Sequence, residues 1–415
     1  MPRPPCPRKA LVLAAFLIGL LGPLAVAEDS ANPPKPDPER EHAFELYDQG
    51  KMVEAMPLLE ELAAANPKDA TVAERWGAAV LSYAQTLTDP ELRKKARVRS
   101  RTILLKAKEL GNNSYLVQTL LGMVPEDGTE AKFSDRTEVD QAMQQAEADF
   151  ARGDYDKARE GYLRALLLDP NMYYAALFTG DVFFKQDKPG FAGEWYARAI
   201  QINPNQETAY RYWGDALFKA GQSDAARGKF IDAIVAEPYN RNAWMGVSQW
   251  ADRNHLKLTY LRLEDKGSVE TKDGKIRINV DPSMGKDDPE GIGWMAYNMK
   301  RALWQGDEFK KNFPNETKYR RTLREEAECL HSMVLVLSEV GESKKKEGKD
   351  FPLDEPLTLL TKIDQAGLIE PFVLINRADN EIAQDYAPYR EGNREKIRSY
   401  LDRFVVPKTP EKAAP

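Results

Sequence analysis

The sequence predicts a mainly α-helical protein, in which a superhelical stack of helix pairs precedes a helical C-terminal domain with one β-hairpin. Two observations predict this fold. Three prolines, Pro170, Pro204 and Pro238, recur at an interval of 34 residues, and periods of this length are typical of stacked helical repeats. Farther along, apolar and polar residues alternate around Asp273-Gly274, which is the pattern of a two-residue hairpin turn.

The residues before each proline also repeat. An alanine stands five and twelve positions before it, and an aromatic residue eight positions before it. These residues are Ala165, Ala199 and Ala233, then Ala158, Ala192 and Ala226, and the aromatics Tyr162, Tyr196 and Phe230. Small side chains let two helices approach closely, an aromatic ring fills the remaining gap, and proline ends the second helix. The pattern resembles the tetratricopeptide repeat (TPR), and the resemblance implies an α-solenoid, a right-handed superhelix that acts as a scaffold.

The first 27 residues resemble a secretory signal. A basic start at Arg3, Arg8 and Lys9 precedes an apolar run over residues 10–24 and the small-residue pattern Ala25-Val26-Ala27. We expect cleavage near Ala27 and a periplasmic or secreted location. The alternative is an uncleaved anchor, which would be the protein's only membrane contact, but the apolar run is shorter than the ~20 residues needed to span. Cleavage would leave 56 basic and 65 acidic residues, a net charge of -9.

The mature chain is predicted to start with a proline-rich linker over residues 28–40. Residues 41–124 follow the repeat only loosely, with a longer helix or an insertion around the basic run 93–97 and a further helix over 115–124. Residues 125–135 interrupt the array. Three regular repeats and one closing helix, which covers the last open face, are then expected over 137–255.

Ligands of TPR proteins usually lie against the first helix of each repeat, so the resemblance implies a concave peptide-binding groove. The 34-residue register places there Tyr174, Leu177, Asp181, Phe184, Lys185, Arg211, Asp215, Phe218, Lys219, Met245, Gln249 and Arg253. The two aspartates could select a basic peptide. Alternatively, Asp181 with Lys185, and Arg211 with Asp215 and Lys219, form solvated ion pairs worth about 0.2–0.5 kcal/mol each. TPR proteins that clamp a peptide carboxylate have asparagine at the two aspartate positions, so that ligand is not expected here.

The C-terminal domain is predicted over residues 256–405, with a disordered tail over 406–415. It begins with the hairpin, continues with helices around residues 294–304 and 323–337 and a loop over 341–350, and ends with helices over 355–366 and 391–405. The aromatic stripe of Trp294, Tyr297 and Trp304 is typical of a core, although it could also stack on a sugar ring. Asp287, Asp288 and Glu290 lack the ligand spacing of a calcium loop, so no metal site is expected.

The sequence offers little for catalysis. Its three histidines are far apart, and no known nucleophile, zinc or phosphate-binding motif occurs. The single cysteine of the mature chain, Cys329, is expected to be buried. A pI near 5.5 argues against nucleic-acid binding. We therefore expect a non-catalytic exported scaffold without a cofactor that binds another protein or peptide of the cell envelope. The alternatives are glycan binding or envelope anchoring through the C-terminal domain, and an unrecognised hydrolase. The oligomeric state stays open.

Overall fold

A computed structural model describes residues 37–130, 132–273, 275–279 and 288–409. The predicted signal at 1–27 and most of the predicted linker lie outside these residues. The chain divides into two compact units between Ile202 and Asn203, here called the N-terminal and the C-terminal unit, and each is described by itself. The mainly α fold with one two-stranded sheet confirms the predicted fold class.

The N-terminal unit consists of nine helices over its described residues. They are α1 (Pro38–Asp48), α2 (Met52–Ala65), α3 (Ala70–Thr86), α4 (Pro90–Glu109), α5 (Tyr115–Met123), α6 (Thr137–Ala151), α7 (Tyr155–Leu168), α8 (Tyr173–Lys185) and α9 (Pro189–Ile202). Helix α3 packs extensively against α4, α6 against α7, and α8 against α9. The 20-residue α4 is the long helix that the basic run predicted.

Short polar side chains and glycines set the limits of these helices. Asp37, Asp69 and Asp89 each accept hydrogen bonds from the free backbone N–H groups at a helix start, which is the usual role of an N-cap aspartate. Gly153 ends α6 with φ +82°, a left-handed conformation that glycine adopts without strain. Gly221, 17 residues before Pro238 as Gly153 is before Pro170, has the same conformation with φ +76°.

Close packing of the two helices in a repeat depends on the predicted small and aromatic residues. Tyr196 is fully buried between its helix and α8, and a Cβ on Gly180 would lie 2.6 Å from the tyrosine ring. No side chain larger than hydrogen fits there without displacement. The structure thus confirms the reason for the repeated glycine and aromatic positions.

The C-terminal unit begins with the last helix pair and the closing helix. These are α10 (Glu207–Lys219), α11 (Ser223–Ala236) and α12 (Arg241–Arg253). A hairpin follows, and then α13 (Pro289–Leu303), α14 (Phe309–Asn312), α15 (Leu323–Lys346), α16 (Glu355–Gln365), α17 (Ile369–Phe372) and α18 (Tyr386–Tyr400). The closing helix predicted over 241–254 is confirmed.

The hairpin has the predicted register. Strand β1 (Ser268–Lys272) pairs antiparallel with β2 (Lys275–Asn279), and Lys272 lies opposite Lys275. Asp273 adopts φ +52°, as the first position of such a turn requires. Asn298 of α13 donates to the Lys266 carbonyl at 2.8 Å and Gln305 to the Val269 carbonyl at 3.1 Å, so the hairpin is held against the helices.

The aromatic stripe of the C-terminal unit lies in its core. Trp294, Tyr297 and Trp304 are exposed by only 2%, 1% and 0%. The core interpretation is confirmed, and the idea that these rings stack on a sugar is wrong.

Two local predictions need correction. The loop expected from residue 341 starts later, because α15 runs through Lys346; three lysines in its last turn favour this extension, since cations stabilise the C-terminal end of a helix. In addition, α17 and a π-helical turn over Val373–Arg377 lie where no helix was predicted.

Helix α11, the second helix of the last pair, packs against α18 near the C-terminal end of the chain. Tyr386 donates to the Val235 carbonyl at 2.6 Å, and Arg398 pairs with Asp232 at 2.8 Å. These contacts cross the domain limit predicted at residue 255. In the predicted tail, Val406 is 2% exposed and its N–H donates to the Leu401 carbonyl, so the ordered chain extends at least through this residue.

Within the described part of the chain, every helix is too short or too polar to span a lipid bilayer.

Candidate functional site

An acidic residue occupies the same place on the first helix of all three regular repeats. Glu147, Asp181 and Asp215 each stand 23 residues before the proline that ends their repeat. The prediction included Asp181 and Asp215 but missed Glu147, although the spacing alone identifies it. The three positions invite a direct comparison of their surroundings.

In the first two regular repeats the acidic side chain is bound by a tyrosine of the second helix. Tyr162 donates to Glu147, and Tyr196 donates to Asp181 at 2.7 Å. Asp181 is only 4% exposed. Burial raises the pKa of Glu147 to about 7, against the lowering effect of the Tyr162 hydrogen bond. The prediction that Asp181 lies on a solvated surface is therefore wrong, because this carboxylate is part of the packing between the two helices.

In the third repeat the aromatic residue is Phe230, which has no hydroxyl group. Its ring occupies the same place as that of Tyr196, since a Cβ on Gly214 would lie 2.5 Å from it, compared with 2.6 Å for Gly180 and Tyr196. Among the described residues no side chain donates a hydrogen bond to Asp215. Burial raises the pKa of the Asp215 carboxyl to about 6, although nearby Arg211 and Arg253 lower it. Asp215 is thus a partly buried carboxylate without the donor that its two counterparts have.

Arg211 has a different partner from the one predicted. It is 4% exposed, and its guanidinium makes two bonds to Glu207, at 2.9 and 3.3 Å. The predicted ion pair of Arg211 with Asp215 is replaced by this bidentate contact, which directs the guanidinium towards Glu207, one helical turn earlier. Arg211 is therefore held by its own helix.

The other predicted residues of the C-terminal unit lie on α10 and α12, which contact each other. The Arg253 guanidinium lies 5.3 Å from the centre of the Phe218 ring. Phe218, Met245 and Gln249 are partly exposed, and Lys219 and Arg253 are exposed. These side chains, with Asp215, form what we call the Asp215 surface: a carboxylate among an aromatic ring, a thioether, an amide and two cations.

The predicted residues of the N-terminal unit lie on α8. Tyr174 is half-buried in an aromatic cluster, 6.2 Å from Phe133 and 5.7 Å from Phe178. Leu177 is buried, whereas Phe184 is partly exposed and Lys185 is exposed. On this helix, therefore, Leu177 and Asp181 serve packing, and the other three side chains reach the surface at least in part.

Two side chains of types common in catalysis, Cys329 and His331, lie on α15 of the C-terminal unit. Burial, followed by Glu326 and Glu325, raises the pKa of the Cys329 thiol far above its usual value, which disfavours the reactive thiolate. His331 is exposed and contacts Asp364 at 2.8 Å. No cluster of three or more histidine, cysteine or acidic side chains that could hold a metal ion occurs in the described ranges.

Helix pairs that recur at a regular interval along the chain, with partly exposed side chains on their first helices, define a helical-repeat protein. Residues 143–207 match the family model described as tetratricopeptide repeat, so this segment is similar to that repeat. No curated protein matches the chain.

Several solved structures are similar to parts of the chain. The first TPR of Spaghetti (RPAP3), bound to the HSP90 peptide SRMEEVD, is 20% identical, with 29% of this chain and 96% of that chain covered and a TM-score of 0.27. YrrB, described as a TPR protein with an unusual peptide-binding site, is 14% identical, with 51% and 91% covered and a TM-score of 0.26. PilF of Pseudomonas aeruginosa is 14% identical, with 52% and 83% covered and a TM-score of 0.26.

Proposed function

We propose that this protein is a non-catalytic TPR scaffold that binds another protein or a peptide of the cell envelope through the Asp215 surface. The observation that carries the proposal is that the third repeat has phenylalanine, Phe230, where the first two regular repeats have tyrosine. Asp215 therefore has no internal donor, while Glu147 and Asp181 each have one. A ligand group that donates to Asp215 would supply what the fold does not.

The physical advantage of such a site is clear. A partly buried carboxylate without a hydrogen bond is unfavourable, and a charge-assisted bond from a ligand removes that cost. A backbone N–H or a lysine of a peptide would provide the donor. Phe218 and Met245 offer apolar contact beside it, so the ligand is expected to be a peptide segment with a donor next to an apolar side chain.

Changing Phe230 to tyrosine tests the role of Asp215 with a minimal alteration. Because the ring already lies where Tyr196 lies in its repeat, the new hydroxyl should donate to Asp215. The variant should therefore be more stable by about 1 kcal/mol and should retain less partner. The pKa of Asp215, raised to about 6 by burial, should fall. The gain in stability should then be complete above pH 6 and shrink as the pH falls below it, because the carboxyl becomes protonated in both proteins.

Stability is measured by thermal unfolding at pH 7.5 and 4.5, and partner binding by quantitative affinity capture from envelope extracts. Asp215→Lys should abolish the capture of the same proteins. Lys257→Glu, an exposed change in the same unit, is the matched control and should leave capture intact. Equal capture by the wild type, Phe230→Tyr and Asp215→Lys would reject the Asp215 surface as the binding site.

We further propose that the protein is exported after cleavage near Ala27. The support is the basic start, the apolar run and the small residues of the first 27 positions. Cells that produce the full chain should contain a mature protein whose N-terminus is Glu28, found by mass spectrometry of a fraction outside the cytoplasm. Replacing Ala25 and Ala27 with arginine should block processing. An intact N-terminus on protein confined to the cytoplasm would contradict export.

A further inference from the structure

A second candidate binding surface lies in the N-terminal unit, away from the first helices of the regular repeats. A cleft of about 510 Å³ is lined by the end of α2, by α3 and by α4. Most of its wall is formed by Ala63, Pro67, Ala73, Trp76 and Ile103. The cleft is therefore chiefly apolar, and it is large enough for a single bulky apolar side chain.

Trp76, one of the residues that line this cleft, has a buried donor without an acceptor. The indole N–H of Trp76 is shielded from solvent and has no hydrogen-bond partner among the described residues. Other tryptophans of the chain do have one: Trp244 donates to the Pro238 carbonyl at 2.7 Å, and Trp250 to the Ser223 carbonyl at 3.0 Å. A buried donor left unpaired costs about 1–3 kcal/mol, so an oxygen atom supplied by a ligand would be favourable here.

The rim of the cleft is basic. Arg99 and Lys106 of α4 line it, and the Arg99 guanidinium lies 5.4 Å from the centre of the Trp76 ring. Helical spacing places Lys95 on the same face of α4. The nearest acidic lining residue, Asp69, is bound by Arg40 at 2.9 Å. A positive rim is notable in a chain whose net charge is -6.

The present partners of the rim cations are easily exchanged. Arg99 pairs with Glu60, and their side chains are 47% and 45% exposed. Lys106 contacts Glu109 at 3.6 Å, with both side chains more than half exposed. Exposed pairs of this kind contribute little, so the carboxylates of a ligand could replace them at little cost.

We propose that this cleft binds an acidic peptide segment, in which one apolar side chain enters between α2 and α4 and the flanking carboxylates contact Arg99 and Lys106. The apolar wall accepts the side chain, and a shift of the Trp76 ring on binding lets its N–H donate to a carbonyl or carboxylate oxygen of the peptide. Charge complementarity and the unpaired donor together favour this occupant over a neutral or basic one. The surface is separate from the Asp215 surface, so either proposal can fail without the other.

The experiment selects random twelve-residue peptides by phage display on the full-length mature protein, with an Arg99→Gln, Lys106→Gln variant as the negative selection. Selected peptides should contain an apolar residue flanked by aspartate or glutamate. As synthetic peptides in fluorescence anisotropy, they should lose about tenfold or more in affinity for this variant and about fivefold for Trp76→Phe. Arg99→Gln and Lys106→Gln each replace an exposed charged side chain with a polar one, so the fold should not change. Circular dichroism checks that each variant is folded.

Lys68→Gln, Lys108→Gln is the matched control, because it removes two exposed lysines that do not line the cleft. It should bind the selected peptides like the wild type, as should Asp215→Lys. Selection of peptides without acidic residues, or equal affinity for the cleft variant and the control, would overturn the proposal. So would Arg99-dependent binding to phosphatidylglycerol vesicles without any selected acidic peptide, since the occupant would then be an anionic lipid.

Discussion

Replacement of Glu326 by alanine is expected to lower the free energy of unfolding of the C-terminal unit by about 3–5 kcal/mol. Glu326 is 1% exposed. It accepts bonds from Tyr297 at 2.7 Å, Arg321 at 2.5 Å and Arg377 at 2.7 Å. Without the carboxylate, two half-buried guanidinium groups would lose their shared counter-charge. Among the described carboxylates, Arg321 would keep only Asp379 and Arg377 only Asp265, and both of these are more exposed than Glu326.

The electrostatics of this cluster support the same expectation. Burial alone would raise the pKa of Glu326, but Arg377 and Arg321 outweigh it, and the pKa lies below its ordinary value. A depressed carboxyl pKa stabilises the folded state above the unfolded-state pKa, and the effect is lost as the pH falls through the folded-state pKa. The destabilisation caused by Glu326→Ala should therefore be full at neutral pH and smaller in acid.

Urea unfolding at pH 7 measures the effect. Glu339→Ala, an exposed change on the same helix, is the control and should alter the free energy of unfolding by less than about 0.5 kcal/mol. If Glu326→Ala and the control unfold at the same urea concentration, the cluster is not important for stability.

Replacement of Arg227 by alanine is expected to detach the end of the chain and to cost about 3 kcal/mol of stability. Arg227 of α11 is 7% exposed. It donates to the Pro407 carbonyl at 2.8 Å, the Val406 carbonyl at 2.6 Å and the carboxylate of Asp402 at 2.5 Å. The three acceptors would remain partly buried without this donor.

Hydrogen exchange over residues 401–409 measures the detachment. The Val406 N–H, bonded to the Leu401 carbonyl, should lose most of its protection in Arg227→Ala. Lys408→Ala removes an exposed cation from the same segment and should leave the protection unchanged. Retained protection in Arg227→Ala would show that packing alone holds the segment.

The repeat could be predicted from the sequence because its physics is local and periodic. Small residues, an aromatic ring and a proline at fixed spacing fix two helices and their contact, as Gly180 and Tyr196 show. The hairpin was equally predictable, since Asp273-Gly274 sets the register of the two strands. The same spacing also contained the Glu147, Asp181 and Asp215 series, and the comparison of Tyr162, Tyr196 and Phe230 was available from the sequence.

The rest depends on contacts between distant parts of the chain. Glu325 and Glu326 resemble part of an exposed acidic run, and their burial follows only from distant partners, such as Arg377 for Glu326, 51 residues away. The sequence of α11 itself indicates that other elements pack on several of its sides. Ile231, Ile234 and Val235 make this helix apolar on more than one face, and such helices are buried on several sides. Nothing in the local sequence identifies α18 as one of the elements that pack on it.

The most direct test of the account is site-specific photo-crosslinking in cells that produce the protein. A photoreactive amino acid replaces Gln249, which is partly exposed on the Asp215 surface, or Ala225, which is exposed on the second helix α11. We predict a defined adduct with another protein from position 249 that is absent from position 225 and is lost when Phe230→Tyr or Asp215→Lys is added. No adduct at 249, or one that persists with both changes, would contradict the claim that the Asp215 surface binds a partner.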